Sequence, residues 1–199
     1  MSFIVAIDGP AGTGKGTVTK ILSKKFNLVN IDTGATYRCV TLDMINKGVK
    51  LEELDKIKEI LKNIKIEIKR ENGEQKIFLN GDEVTSKIRS KEVTELVSQV
   101  SSIKEVRFSM VELQRKMAEG QDVIMEGRDI GTYVFPTADV KIYLDADLEE
   151  RAKRRFNQNK EKGINMSYVD ILNNIKLRDE NDKKKETGAL KVAHDAEVI

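Results

Sequence analysis

The residues best placed to do chemistry stand near the N-terminus, in Gly9-Pro10-Ala11-Gly12-Thr13-Gly14-Lys15-Gly16-Thr17. Glycines at this density let the backbone curl until successive N–H groups converge on one anion, at the positive end of the helix that follows. Lys15 adds an ammonium able to reach the outer phosphates of a nucleotide. The spacing from Gly9 to Lys15 is that of the phosphate-binding loop G-x-x-x-x-G-K-[ST], but Gly16 stands where a hydroxyl would grip magnesium. Thr17 supplies a hydroxyl one residue later, for the phosphates. A metal at this loop would then have no direct side-chain ligand and be held by phosphate oxygens and water, which magnesium accepts.

Gly16 also separates two classes of nucleotide protein. A nucleotide switch grips its metal with protein groups and reads guanine with N-K-x-D, whereas "NKEK" (Asn159 to Lys162) lacks the aspartate. The form G-K-G-T is instead typical of nucleoside monophosphate kinases. Their acceptor phosphate is already ionised near neutral pH, so the obstacle is bringing two polyanions together, and positioning and charge neutralisation are the main demands. Arginines spread over several elements meet that demand, because a guanidinium fork binds phosphate in two-pronged fashion. Arg38, Arg107, Arg128, Arg151, Arg154, Arg155 and Arg178 form such a set. Each alone also reads as a solvated surface residue, and Arg154 has Glu150 one helical turn before it; the weight lies in the ensemble.

Three stretches narrow the acceptor. "DTGATYR" (Asp32 to Arg38) and "EGRDIG" (Glu126 to Gly131) each follow a short apolar run, at the sheet edge where such folds bind ligands. Adjacent Arg128 and Asp129 offer the donor and acceptor that reading a base requires, or form a salt-bridged turn. In "LRDENDKKK", Arg178 and Asp182 share a helix face and either clamp a sugar hydroxyl or pair with each other.

The elements that must position these residues are legible as a pattern. "FIVAID", "LVNID", "DVIME" and "VKIYLD" are short apolar runs suited to buried parallel strands. Between them lie helical periods: Val18, Ile21, Leu22 and Phe26 after the loop; "ATYRCVTLDMINKG"; Leu51, Leu54, Ile57 and Leu61; Lys91 to Glu119 in two pieces; then "LEERAKRRFNQNKEKG" and "YVDILNNIKLRDENDKKK". The alternating stretch 63–86, with Asn72-Gly73 and Asn80-Gly81, predicts an antiparallel insert on the main sheet. "DAEVI" reads as a last strand. The whole predicts an α/β layered fold with a parallel sheet, as a single domain over residues 1–199. A net charge of +2 excludes a broad nucleic-acid-wrapping or membrane-surface field, and no apolar stretch is long enough to span a membrane. One cysteine, Cys39, one histidine, His194, and no leader pattern point to the cytosol and against a histidine-based metal site.

"IDGPAGTGKGT", "IDTGATYR", "SQVSSIKEVR", "EGRDIGTYVFPTADVKIYLDA", "ERAKRR" and "RDENDKK" resemble, in that order, the bacterial cytidylate kinases, and the resemblance covers nearly the whole chain. It implies a three-layer P-loop kinase fold with a parallel central sheet, a helical lid over residues 151–163, and the β insert as an enlarged monophosphate-binding region. It implies transfer of the γ-phosphoryl of Mg2+·ATP to CMP or dCMP, by a monomer that binds neither nucleic acid nor membrane. Gly9 to Thr17 would hold the ATP phosphates, with Arg151, Arg154 and Arg155 of the lid facing ATP. Thr33, Ser98, Arg107 and Asp129 would read cytosine; Arg38 and Arg128 would hold the acceptor phosphate beside a wall shaped by Asp32 and Tyr37; Arg178 and Asp182 would take the sugar hydroxyls. Lys15, Arg128 and Arg154 are the expected catalytic groups. Two departures stand out: Lys185 replaces a lid-side arginine, losing a fork, and "TGALKVAHDAEVI" lacks a proline and stops where the family continues into a final helix, by truncation or by divergence. A monophosphate kinase for another base, such as UMP, and a nucleotide-gated P-loop binding module are the alternatives.

Overall fold

The computed structural model describes residues 2–71, 74–161 and 163–199. In chain order the elements are β1 (Ile4–Asp8), α1 (Lys15–Phe26), β2 (Val29–Asp32), α2 (Thr33–Asn46), α3 (Leu54–Asn63), β3 (Ile66–Glu71), β4 (Glu74–Leu79), β5 (Asp82–Glu83), α4 (Lys91–Val100), α5 (Lys104–Met117), β6 (Val123–Gly127), β7 (Val140–Tyr143), α6 (Leu148–Glu161), α7 (Tyr168–Lys184) and β8 (Glu197–Val198). They form two compact units, one made of Met1–Asn30 with Ala118–Ile199, the other of Ile31–Met117.

The first unit carries the main sheet, ordered β2-β6-β1-β7-β8. β1 runs parallel to both β6 and β7, and β8 parallel to β7. β1 is therefore flanked on both sides and buried from Val5 onward, as a continuous apolar run in a parallel sheet requires. Its last residue, Asp8, lies opposite Gly127 of β6 and Tyr143 of β7. The loops after β1 and after β6 thus leave the sheet side by side. One core gathers Val5, Ile7, Leu28 and Ile124; a second, between α6 and α7, gathers Ala152, Ile171 and Ile175.

Helix α1 follows its apolar pattern in part: Val18 and Leu22 pack against the first of these cores. Ile21 and Phe26 are each 59% exposed, while the buried positions are Lys15, Thr19 and Ser23, at four-residue intervals. Those hydroxyls are satisfied locally, Thr19 donating to the Gly16 carbonyl and Ser23 to that of Lys20. A polar face can then be buried without orphaned donors.

The second unit packs α2, α3, α4 and α5 on a core that includes Cys39, Val40, Met44, Ile57, Ile88, Val93, Val100, Val106 and Met110. In α3 the buried pair is Ile57 and Ile60, with Leu54 turned to solvent. The alternating stretch forms its own three-stranded antiparallel sheet, ordered β3-β4-β5, rather than joining the main sheet as expected. Its inward residues Ile66, Ile77 and Leu79 find their partners in this unit's helical core, so the insert needs no edge of the parallel sheet. Asn80 and Gly81 both have positive φ, 52° and 96°, and join β4 to β5 as a two-residue hairpin turn. Asn72-Gly73 lies outside the described residues. Among the described residues no helix is long and apolar enough to cross a membrane.

Candidate functional site

The phosphate-binding loop is shaped by what its neighbours leave open. Gly9 has φ of 147°, and a Cβ there would run into the Leu144 carbonyl oxygen. The approach is forced by the Leu144 N–H donating to the Asp8 carbonyl at 2.8 Å, which draws the strand-end residues together. Only glycine fits. At Gly16 a Cβ would stand 3.1 Å from Glu126 Oε1, the carboxylate at the end of β6. The glycine that cost the loop its hydroxyl therefore leaves room for an acid at the loop's first helical turn.

Lys15 is buried, and its Nζ donates to the carbonyls of Gly9 at 2.8 Å and Pro10 at 2.6 Å, with Thr13 Oγ1 at 3.3 Å. Its ammonium thus lies inside the curl of the loop. Burial lowers its pKa to about 7; the nearby Arg128 pushes the same way, and Glu126 and Asp8 oppose it. Arg154, on an exposed face of α6, reaches the same loop, its Nη1 standing 3.6 Å from where a Gly14 Cβ would be. Arg155 is exposed on the same helix.

At the end of β6, Arg128 and Asp129 lead into a five-residue π-type turn, Ile130–Val134. Asp8 holds this turn, its two carboxylate oxygens accepting the N–H groups of Ile130 and Gly131, each at 2.8 Å. Burial raises the Asp8 pKa to about 6 against those two hydrogen bonds, which lower it. Arg128 Nε donates to Asp182 Oδ2 at 2.8 Å, and Lys185 Nζ donates to Asp182 Oδ1 at 2.8 Å. Burial by itself would raise the Asp182 pKa, but Arg128 and then Lys185 outweigh it and hold the carboxyl at about 2. The spacing of Arg178 and Asp182 predicts either a sugar clamp or a pair; in the fold the two Asp182 oxygens accept from Arg128 and Lys185, with Arg178 near enough to lower the carboxyl pKa further. Lys185, noted as a lost fork, carries half of that arrangement.

Arg151, expected to face ATP, is 6% exposed. Its Nη1 donates to Asp179 Oδ2 and to the Ala11 carbonyl, and its Nε to the Ala146 carbonyl. Asp179 Oδ1 in turn accepts the Ala11 N–H at 3.1 Å.

In the second unit Asp32 caps α2, its Oδ1 accepting the Ala35 N–H at 3.2 Å, and its Oδ2 lies 3.5 Å from Arg89. The cap starts the helix at Thr33, two residues earlier than periodicity indicates. Thr33 is buried; its carbonyl accepts from Thr36 Oγ1 at 2.8 Å, which accepts in turn from Gln114 Nε2 at 3.0 Å. Arg38 Nη1 donates to the Ile88 carbonyl at 3.0 Å and to Thr94 Oγ1 at 2.9 Å. Arg107, 2% exposed, lies with its guanidinium 5.4 Å from the centre of the Tyr37 ring, a cation–π contact. Ser98 Oγ is buried with no hydrogen-bond partner among the described residues, which marks it as a group that a ligand would satisfy. Cys39 is fully buried and its thiol is pushed up to about 12, chiefly by burial, so it is not a nucleophile.

The fold thus brings together Lys15 with the loop, Arg154 with Gly14, Arg128 with Asp182, and Arg107 with Tyr37. Asp8, Asp179 and Gln114 escaped the sequence reading. Asp179 had a signal, since it continues the buried four-residue stripe of Ile171 and Ile175 on α7. Among the described residues no three acids, histidines or cysteines cluster as a metal cage. Glu126 beside Gly16 is the carboxylate at the loop, a donor set that suits magnesium arriving on a nucleotide with phosphate and water as most of its ligands.

Comparison with known proteins finds similarity along nearly the whole chain. The family model described as Cytidylate kinase matches residues 5–199. A cytidylate kinase of Caldicellulosiruptor saccharolyticus is 51% identical over 98% of this chain and 86% of its own length. Those of Fusobacterium nucleatum and Bacillus subtilis are 46% and 43% identical, over 98% and 96% of this chain and 88% and 86% of their own. With a family model matched from residue 5 to the end and relatives up to 51% identical over nearly its full length, the chain belongs to the cytidylate kinase family.

Proposed function

We propose that this protein transfers the γ-phosphoryl group of Mg·ATP to CMP and dCMP, giving ADP with CDP or dCDP. The observation that carries the reading is the Lys15 ammonium held inside the glycine loop by the Gly9 and Pro10 carbonyls, with the Arg128 guanidinium fixed at the adjacent strand end. Family membership supplies the substrate class.

Gly9 to Thr17 hold the ATP phosphates, and Lys15 turns from its carbonyls to the transferred group. Arg154 and Arg155 add positive charge on the donor side. Arg38 and Arg128 hold the acceptor phosphate, with Asp32 and Tyr37 beside them. No general base is needed, because the acceptor oxygen is already ionised; the protein supplies alignment and charge. Magnesium, arriving with ATP, would supply charge neutralisation at the phosphates. Glu126 fits as an acceptor for its water.

Thr33, Ser98, Arg107 and Asp129 read the cytosine ring, the buried Ser98 hydroxyl gaining the partner it lacks in the protein. Asp129 accepts from the exocyclic amine, a contact that uracil replaces with two acceptors face to face. UMP is then disfavoured by a few kcal/mol at most, on the order of what one mispaired polar contact costs. Asp182 keeps a lone pair on each oxygen for a sugar hydroxyl beside Arg178. A cytosolic monomer working in pyrimidine nucleotide metabolism belongs to the same proposal.

The test is a steady-state assay with ATP and each of the four common monophosphates. Rapid ADP formation with CMP and dCMP, slower with UMP, is expected. ATP hydrolysis that ignores every monophosphate would instead favour a nucleotide-gated binding module.

A further inference from the structure

We propose that the Arg151–Asp179 ion pair is a latch on the phosphate loop, gripping both backbone groups of Ala11, and that both residues are positioning residues for the phosphoryl donor. The proposal rests on the reading of the loop as the ATP phosphate site.

The geometry is a closed ring. Asp179 Oδ1 accepts the Ala11 N–H at 3.1 Å, Arg151 Nη1 donates to the Ala11 carbonyl at 2.9 Å, and the same Nη1 donates to Asp179 Oδ2 at 2.5 Å. Arg151 is tied down a third time through Nε to the Ala146 carbonyl at 2.9 Å. Ala11 sits in the middle of the glycine loop, next to Pro10, whose carbonyl accepts from Lys15 Nζ and Thr13 Oγ1. Planar trans peptides send C=O and N–H in opposite directions. With the Ala11 N–H turned toward Asp179, the Pro10 carbonyl must face the other way, and there it accepts from Lys15 Nζ at 2.6 Å. With the Ala11 carbonyl turned toward Arg151, the Gly12 N–H must also face away, toward the side where Lys15 lies. The latch therefore sets the directions of two successive peptides in a loop whose use depends on where its N–H groups point.

Burial supports a positioning role over a stabilising one. Both residues are less than 9% exposed, and a buried ion pair is a poor source of stability, because desolvation offsets its attraction. The pair is wrapped around one loop residue and comes from two helices, α6 and α7, that have an apolar contact of their own in Ala152, Ile171 and Ile175.

The experiment compares wild type with Asp179→Asn, Asp179→Ala, Arg151→Ala and the double variant Asp179→Asn/Arg151→Ala. KM for ATP and for CMP is measured for each, with hydrogen exchange of the loop peptide in the absence of nucleotide. Asp179→Asn keeps an acceptor for the Ala11 N–H and releases Arg151; KM for ATP should rise about tenfold, and up to about a hundredfold for Asp179→Ala, the range for losing charge-assisted hydrogen bonds. KM for CMP should stay within about twofold, and loop exchange should quicken. The double variant should be no worse than the poorer single one, because the ring opens once. If Arg151 instead binds ATP itself, freeing it in Asp179→Asn will leave KM for ATP unchanged or lower it, while Arg151→Ala raises it; that result overturns the latch. A fall in melting temperature with loop exchange and both KM values unchanged also overturns it. Should wild type fail to use CMP, the functional reading falls, and loop exchange and ATP affinity in the same variants still decide the latch.

Discussion

Asp182→Asn is a sharp test of how the cations of the first unit are held. The side chain of Asp182 is 4% exposed, and its partners Arg128 and Lys185 are 19% and 6% exposed, each with a nitrogen 2.8 Å from one carboxylate oxygen. The downward shift of the carboxyl from 3.8 to about 2 is worth about 2 kcal/mol of charge interaction. Substitution costs more than that, since an asparagine removes the carboxylate that both cations contact, and breaking a buried pair costs about 3–5 kcal/mol. We expect about 3 kcal/mol, or a melting temperature lower by about 6–12 °C for a chain of this size. Urea unfolding should show a lower midpoint at unchanged slope. Because the folded pKa is depressed, this contribution is present above pH 3.8 and lost as pH falls through about 2, so the gap between wild type and variant should narrow across that window. Adding Lys185→Met should recover about 1 kcal/mol or more by removing one of the two cations that Asp182 balances. A loss below about 1 kcal/mol, or a second substitution that simply adds to the first, would show that the three charges are not a unit.

Lys15→Ala should lower kcat by two orders of magnitude or more, roughly the effect of removing one group that stabilises transition-state charge, with an unchanged circular dichroism spectrum; near-normal turnover would remove the loop from the mechanism. Asp129→Asn should raise KM for CMP well above any change in KM for ATP, and equal losses would make Asp129 structural. Asp8 gives a pH dependence opposite to that of Asp182. Its folded pKa is raised from 3.8 to about 6, so its contribution to stability is full below pH 3.8 and is lost as pH rises through about 6, by about 3 kcal/mol. Urea midpoints of wild type relative to Asp8→Asn should fall across that window; a flat difference would mean that Asp8 titrates normally.

The phosphate loop was legible because its chemistry is local: glycines, a lysine and a strand–helix context all lie within one stretch of chain. The parallel strands were legible for the same reason, as apolar runs ending in Asp8, Asp32 and Gly127. What escaped depends on partners far along the chain. Nothing near Asp8 says that it receives two N–H groups from Ile130 and Gly131, and nothing near Lys185 separates a solvated lysine from one buried against Asp182. Helix α1 forms where its periodicity indicates and packs Val18 and Leu22 on the core, but Ile21 and Phe26 stay exposed, because Thr19 and Ser23 go inside by bonding to their own helix. The β insert alternated visibly, yet which sheet it joins is a matter of long-range pairing that a two-residue period does not carry. The positions assigned to the nucleotides rest on resemblance, since a binding role is a relation to a ligand rather than a property of the chain.

The most direct measurement is a crystal structure with ADP and CMP bound. The account predicts that Lys15 Nζ has left the Gly9 and Pro10 carbonyls for phosphate, that Arg38 and Arg128 lie on the CMP phosphate, and that Asp129 and Ser98 Oγ lie within hydrogen-bond distance of the cytosine edge. CMP bound elsewhere, with Arg38, Arg128 and Asp129 turned from it, would contradict the account.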